Sequence, residues 1–299
     1  MHIGNPTTMG AFFSLACALT WAMAVVLLKR TVDKVHPFAL NFFRVSFTFP
    51  LLLVTFLAAG QPMFPQVSRE DYIRLALSSI LAIALADTLF HQSLKLVGAG
   101  IVAIIDTLYA PTIVFFAYVL LQERIRWNDY AGLALVSGGL LMTSTLEPPR
   151  GRTRVQLIEG IGVGLLAIIL LSLGIVIAKP ALNRLPVLWA AAFRQGVAAV
   201  VLFLWAVLSP RRREFLSAWR PSSAWRVMIP ATLLGSYLAL TLWIAGMKYT
   251  LASVAGILGQ SSTIWILLFS VLFLHERFSR RKALAAALAF AGVLLVTLG

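Results

Sequence analysis

Five ionisable side chains fall inside long apolar runs: Arg44, Asp87, His91, Asp106 and Arg194. A charge at membrane depth is costly, so residues of this kind face a polar interior and serve binding, coupling or pairing. At a helical rise of 1.5 Å per residue, Arg44 lies about 10 Å beyond Pro37 and Asp87 about 12 Å before Lys95. Asp106 lies about 12 Å beyond the break that follows Lys95, so three charges share one level. An arginine facing two carboxylates can pair with one and leave the other free to take a proton. The trio therefore has two readings, a coupling site or a static buried ion network that fixes packing. His91 is one helical turn from Asp87 on the same face, either a cavity-facing polar residue or a proton relay.

The elements that must position these residues are apolar helices. The chain has 299 residues, of which 60% are hydrophobic and 12% charged, with a mean hydropathy of +0.90. Soluble domains carry about 25% charged residues, so this chain cannot coat a soluble surface. Runs near the roughly 20 residues needed to cross a bilayer occur at 9–28, 38–58, 73–95, 98–121, 129–146, 158–178, 187–208, 224–247, 251–273 and 281–298. The sequence thus predicts an all-α integral membrane protein of ten transmembrane helices. The net charge of +14 resides mostly between the runs, as at Arg211, Arg212 and Arg213, which points to loops that orient spans and not to nucleic acid as a partner. Trp127, Trp219 and Trp225 near span ends read as belt residues.

The chemistry that is missing narrows the function. Cys17 is the single cysteine, which rules out an internal disulfide and reads as a small hydrophobe. His2, His36, His91 and His275 lack ligand spacing, so no metal is expected, and there is no Walker motif or paired-acid motif. The first apolar run continues into Lys29-Arg30 and does not read as a cleavable signal peptide. The expectation is no enzyme and no cofactor, with the lipid bilayer, a small-molecule substrate and protons as partners. The oligomeric state is left open.

An internal repeat organises the chain. Glu123-Arg124 falls on Glu276-Arg277, Gly139 on Gly292 and Lys95 on Lys248, all at a shift of 153. Lys29 falls on Lys179 and Arg44 on Arg194 at a shift of 150. Two five-helix units follow, 1–149 and 150–299. Because five is odd, the second enters from the opposite side of the membrane. Two inverted repeats around a central cavity are the architecture of alternating-access transporters, with the substrate site near the midplane. The halves are unequal, since Leu240 and Gly259 stand where Asp87 and Asp106 would recur. Arg194 is left to find another partner, to snorkel to its nearer face or to meet an anionic substrate group. Trp21, Tyr109, Tyr237, Trp243 and Trp265 are candidates for aromatic lining, and Gln260 with Ser261, Ser262 and Thr263 for a neutral polar wall or a close helix contact.

The pattern of five plus five spans, each half ending in an apolar helix, Glu-Arg and a short glycine-containing helix, resembles the drug/metabolite transporter superfamily, EamA type. The first copy carries Pro111, Glu123-Arg124, Gly132 and Gly138-Gly139, and the second keeps Glu276-Arg277 and Gly292 but has Ile264 in place of the proline. The resemblance implies a secondary transporter in a bacterial inner membrane that exports or exchanges small metabolites, amino acids or drugs through a central cavity. It names no particular substrate. Both Glu-Arg pairs read as structural. The alternatives outside transport are a lipid scramblase or flippase and a membrane scaffold. Lys and Arg concentrate on the side opposite the termini, which by the positive-inside rule places both termini outside the cytoplasm. The resemblance implies both inside.

Overall fold

A computed structural model describes residues 6–28, 35–60, 63, 65–143, 153–274 and 280–298, all helix and connecting turn. The helices are α1 (Pro6–Leu28), α2 (Pro37–Ala58), α3 (Arg69–Ser78), α4 (Asp87–Asp106), α5 (Tyr109–Leu121), α6 (Trp127–Thr143) and α7 (Arg154–Arg184). The second half continues with α8 (Val187–Leu208), α9 (Arg212–Phe215), α10 (Trp225–Thr232), α11 (Leu240–Tyr249), α12 (Ala252–Gly259), α13 (Ser262–Leu274) and α14 (Arg280–Leu298). Seven stretches among the described residues are long and apolar enough to cross a bilayer: Thr8–Leu27, Pro37–Ala58, Arg69–Gly98, Ile104–Leu121, Arg154–Arg184, Val187–Leu208 and Trp225–Tyr249. Ala283–Leu298 is apolar but shorter. The expected run 129–146 falls on α6, with its residues 144–146 outside the described set, and 251–273 is divided at Gln260-Ser261. The protein is thus a multi-pass membrane protein, and length alone does not give ten spans.

Irregular turns recur at matching places in the two halves. Wide π turns occupy Ser79–Ala86 and Leu233–Ala239, each running directly into a helix that faces the interior. Such turns insert an extra residue and redirect the face that follows, and they free backbone groups. Asn41 collects one of these, donating to the Ile83 carbonyl at 2.8 Å and to Thr88 Oγ1 at 3.0 Å. Two helical runs are also interrupted midway, at Thr107-Leu108 between α4 and α5 and at Gln260-Ser261 between α12 and α13. A further break at Gly98, with φ of 76°, bends α4 itself. Only glycine adopts that backbone geometry without strain.

The last helices of the two halves, α6 and α14, pack on each other through glycine. A Cβ on Gly132 would lie 2.8 Å from the Gly292 carbonyl oxygen, and one on Gly292 would lie 2.7 Å from that of Gly132. Lipid offers no hydrophobic drive for helix association, so close backbone approach through small residues supplies the contact.

One face of the bundle is tied across the halves by polar end-capping. The αL conformation of Gln122, φ 55°, ends α5 and turns the chain so that Glu123 meets the start of α12. Its carboxylate accepts from the backbone N–H groups of Ala252 and Ser253, each at 3.1 Å, and from the Ser253 hydroxyl at 2.9 Å. Lys179 Nζ donates to the Met247 carbonyl, to the Thr250 carbonyl at 2.6 Å and to Asn183 Oδ1 at 2.6 Å, closing the end of α11. Arg184 pairs with Asp71 at 2.5 Å. An anion at a helix start and a cation at a helix end both match the helix dipole. Arg124 is exposed, while Glu276 and Arg277 lie outside the described residues.

Candidate functional site

Between the halves lies a cavity of about 230 Å³. Its wall collects Arg44 from α2, Asp87, His91 and Asp106 from α4, Tyr109 from α5 and Arg194 from α8. The four charged candidates from the sequence, with His91 and Tyr109, therefore meet in one space. Leu240 and Gly259, which stand in for the missing acids, line it too. Ile168, Leu171 and Ile175 of α7 give one apolar side.

Arg44 is 3% exposed and is held by neutral partners. Its Nε donates to Ser236 Oγ at 3.0 Å, its Nη1 meets His91 Nε2 at 3.1 Å, and its guanidinium lies 5.8 Å from the Trp21 ring centroid. His91 Nδ1 is bonded to the Asp87 backbone carbonyl. A carbonyl can only accept, so Nδ1 carries the proton and Nε2 accepts from Arg44, a tautomer assigned from the hydrogen-bond network. His91 is therefore an orienting acceptor for Arg44, and its free lone pair is occupied. The expected ion network has a different form. Among the described residues, no ion pair within 4.0 Å joins Arg44 to Asp87 or Asp106; the pairs found there are Arg74–Glu70, Arg126–Asp129 and Arg184–Asp71.

Arg194 is 2% exposed, so it does not snorkel. Its Nε and Nη1 are buried with no acceptor, and its guanidinium lies 5.3 Å from the Trp243 ring centroid. Asp87 is the carboxylate within electrostatic reach of both Arg44 and Arg194. A single first-half acid thus sits in the field of two arginines that the repeat relates to each other. A buried guanidinium without an acceptor is costly, and a carboxylate or phosphate can supply the missing bonds bidentately.

The two interrupted helical runs bring backbone and amide groups to the same wall. Gln260 Nε2 donates to the Asp106 backbone carbonyl at 2.8 Å, leaving the Gln260 Oε1 buried and unbonded. Gln195 Nε2 donates to the Ser236 carbonyl at 3.4 Å, and its Oε1 is likewise unbonded. Gln195 and Ser236 line the cavity and were not among the sequence candidates. Both are neutral and carry no depth penalty that would mark them, although Gln195 adjoins Arg194. Of the candidate lining residues, Trp21, Trp243 and Gln260 lie in the cavity wall. Tyr237 and Trp265 do not. The Tyr237 hydroxyl is bonded to Thr55 Oγ1 at 2.7 Å, because the π turn points it towards α2, and Trp265 stacks on Phe269 with ring centroids 6.3 Å apart.

Comparison with known proteins sets this geometry in a family. The EamA-like transporter family matches residues 8–145 and again residues 158–298. The chain belongs to this family. The two matched segments meet the two halves of the repeat, and the family places the chain among membrane transporters of the drug/metabolite type. Among solved structures, 29 chains match. One crystal structure of a protein superposes with a TM-score of 0.76 at 21% identity, covering 98% of this chain and 96% of the other. That likeness is one of fold. No curated protein matches the sequence.

Proposed function

We propose that this EamA-like protein is a secondary active transporter that exports or exchanges a small polar or amphipathic metabolite bearing an acidic group. In this reading the ten apolar runs are ten spans, the halves 1–149 and 150–299 are inverted repeats, and the cavity between them opens alternately to each side of a bacterial inner membrane. The observation that carries the proposal is Arg194, 2% exposed in a cavity wall with Nε and Nη1 lacking an acceptor. A substrate carboxylate or phosphate would complete those bonds, and its body would lie against Trp243, Tyr109 and the apolar wall of α7. Discontinuous helices at a midplane site are a recurrent device for binding substrate and coupling ion. Asp87 and Asp106 are the proton carriers in this scheme, with Asp87 exchanging its arginine neighbours for a proton when a substrate anion arrives.

The test compares metabolites in the medium of cells overexpressing the chain and its Arg194→Gln variant. The expected result is that an acidic metabolite accumulates outside cells making the first and falls about tenfold or more with the second, the factor that ~1.4 kcal/mol of lost binding gives. Equal accumulation with both would remove Arg194 from substrate binding.

A further inference from the structure

The segment that joins α8 to α10 has helical structure of its own. It folds back along the outside of α2 as a short elbow made of α9 and the 3₁₀ turn Ser217–Trp219. Phe215 stacks on Phe38 with centroids 4.3 Å apart. Further along, Trp219 packs on Phe43 at 5.0 Å and its indole N–H donates to Ser46 Oγ at 3.1 Å. Ser46 is nine residues past Pro37, so the elbow reaches about 13 Å down the span. Its apolar side chains, Phe215 and Ala218, are buried against the bundle, whereas Arg211, Arg212, Arg213 and Arg220 are exposed, as is Arg226 just beyond.

The elbow also borders a second cavity, of about 420 Å³, at the starts of α2 and α10. Ser217, Ser222 and Ser223 line it with hydroxyls, together with His36 and Glu214. Burial pushes the His36 imidazole below its ordinary range, with Glu214 opposing and Lys95 and Arg211 acting in the same direction as burial. The imidazole is then neutral, and its Nδ1 accepts from the Phe38 N–H at 3.2 Å, capping α2. The pocket therefore has three serine hydroxyls, one carboxylate and an apolar side from Val35, Ala218, Ala224 and Met228, and the exposed arginines of the elbow flank these residues along the chain.

We propose that this elbow binds the headgroup of an anionic phospholipid, with the phosphate on its exposed arginines and headgroup hydroxyls in the serine-lined pocket. Charge complementarity and depth select the occupant. Exposed arginines over buried aromatics at the level of the headgroup and acyl boundary are the pattern of an interfacial anchor. Polybasic segments of this kind are drawn to anionic lipid. Leu208 and Trp205, which lead into the elbow, are 81% and 46% exposed and offer apolar surface to the acyl chains. The proposal stands apart from solute transport and holds whatever the central cavity carries.

The experiment measures thermal unfolding of the full chain in nanodiscs of phosphatidylcholine alone and of phosphatidylcholine mixed with phosphatidylglycerol. The expected result is a higher Tm with phosphatidylglycerol, an increment that shrinks as salt rises because the contacts are screened. A variant with Arg211→Gln, Arg212→Gln, Arg213→Gln and Arg220→Gln should keep its Tm in phosphatidylcholine and lose the increment. No increment in the unmodified chain, or one insensitive to salt, would overturn the proposal. So would an increment that survives in the variant, or an equal one produced by soluble glycerol 3-phosphate in phosphatidylcholine discs. The salt series uses the unmodified chain and remains decisive if the variant does not fold.

Discussion

The carboxylate of Glu123 accepts both the backbone N–H and the hydroxyl of Ser253, at 3.1 and 2.9 Å, so an acid of the first half caps a helix of the second. The motif that sequence comparison finds at the end of each half is in this copy a helix cap. Removing a cap costs about 1–2 kcal/mol. Glu123→Ala should lower unfolding free energy in detergent by about that amount, and Glu123→Gln by less, because one amide oxygen still accepts. Arg124→Ala, on an exposed side chain, should stay within about 0.5 kcal/mol of the parent. Equal losses for Glu123→Ala and Arg124→Ala would show that the cap is not what the motif contributes.

Asp87 and Asp106 should separate on substitution. Asp87 is the acid within electrostatic reach of Arg44 and Arg194, so Asp87→Asn removes the carboxyl group that two buried guanidiniums share and should cost stability, on the order of 3 kcal/mol. Asp106 is tied to Gln260 through its backbone carbonyl, a bond that Asp106→Asn retains. That variant should fold like the parent and lose uptake driven by a pH gradient in proteoliposomes. Full gradient-dependent uptake by both variants would end the proton-carrier reading.

Neighbouring glycines should differ sharply. A Cβ at Gly292 would stand 2.7 Å from the Gly132 carbonyl oxygen, whereas one at Gly138 has nothing within 4 Å. Gly292→Ala should destabilise by about 1–3 kcal/mol through overpacking at the α6–α14 contact. Gly138→Ala should be neutral or stabilise by up to about 1 kcal/mol from helix propensity. Thermal unfolding of the two variants decides the matter, and similar Tm values would place the contact elsewhere.

The basic elbow also predicts the sidedness of the chain. If it lies in the cytoplasmic leaflet, Ser223→Cys in a Cys17→Ala background should react with an impermeant maleimide in inverted vesicles and not in intact cells. The background is clean because Cys17 is the single cysteine. Labelling in intact cells would put the elbow outside and both termini in the cytoplasm.

Much of the site was legible without coordinates. Arg44, Asp87, Asp106 and Arg194 stand out because an ionisable residue in an apolar run violates the membrane's energetics, and the helical rise alone brings three of them to one level. Tyr237 and Trp265 were misplaced because an aromatic in an apolar run violates nothing, so its sequence position carries little information about the face it occupies. The π turn Leu233–Ala239 changes that face and leaves no simple trace in composition. Gln195 and Ser236 were missed for the complementary reason that neutral polar groups are common at helix contacts.

Apolarity, repeat offset and intramembrane charge are properties of residues along one chain, and they determined a helical membrane protein, its two related halves and the side chains at its centre. Tertiary structure decided which partners those side chains take. Arg44 turns to Ser236 and His91, Arg194 keeps two N–H groups without an acceptor, and Asp87 lies within electrostatic reach of both. A hydrogen bond depends on ångström-scale distance and direction across helices more than a hundred residues apart, as from Arg44 to Ser236. No periodicity within either helix encodes that separation.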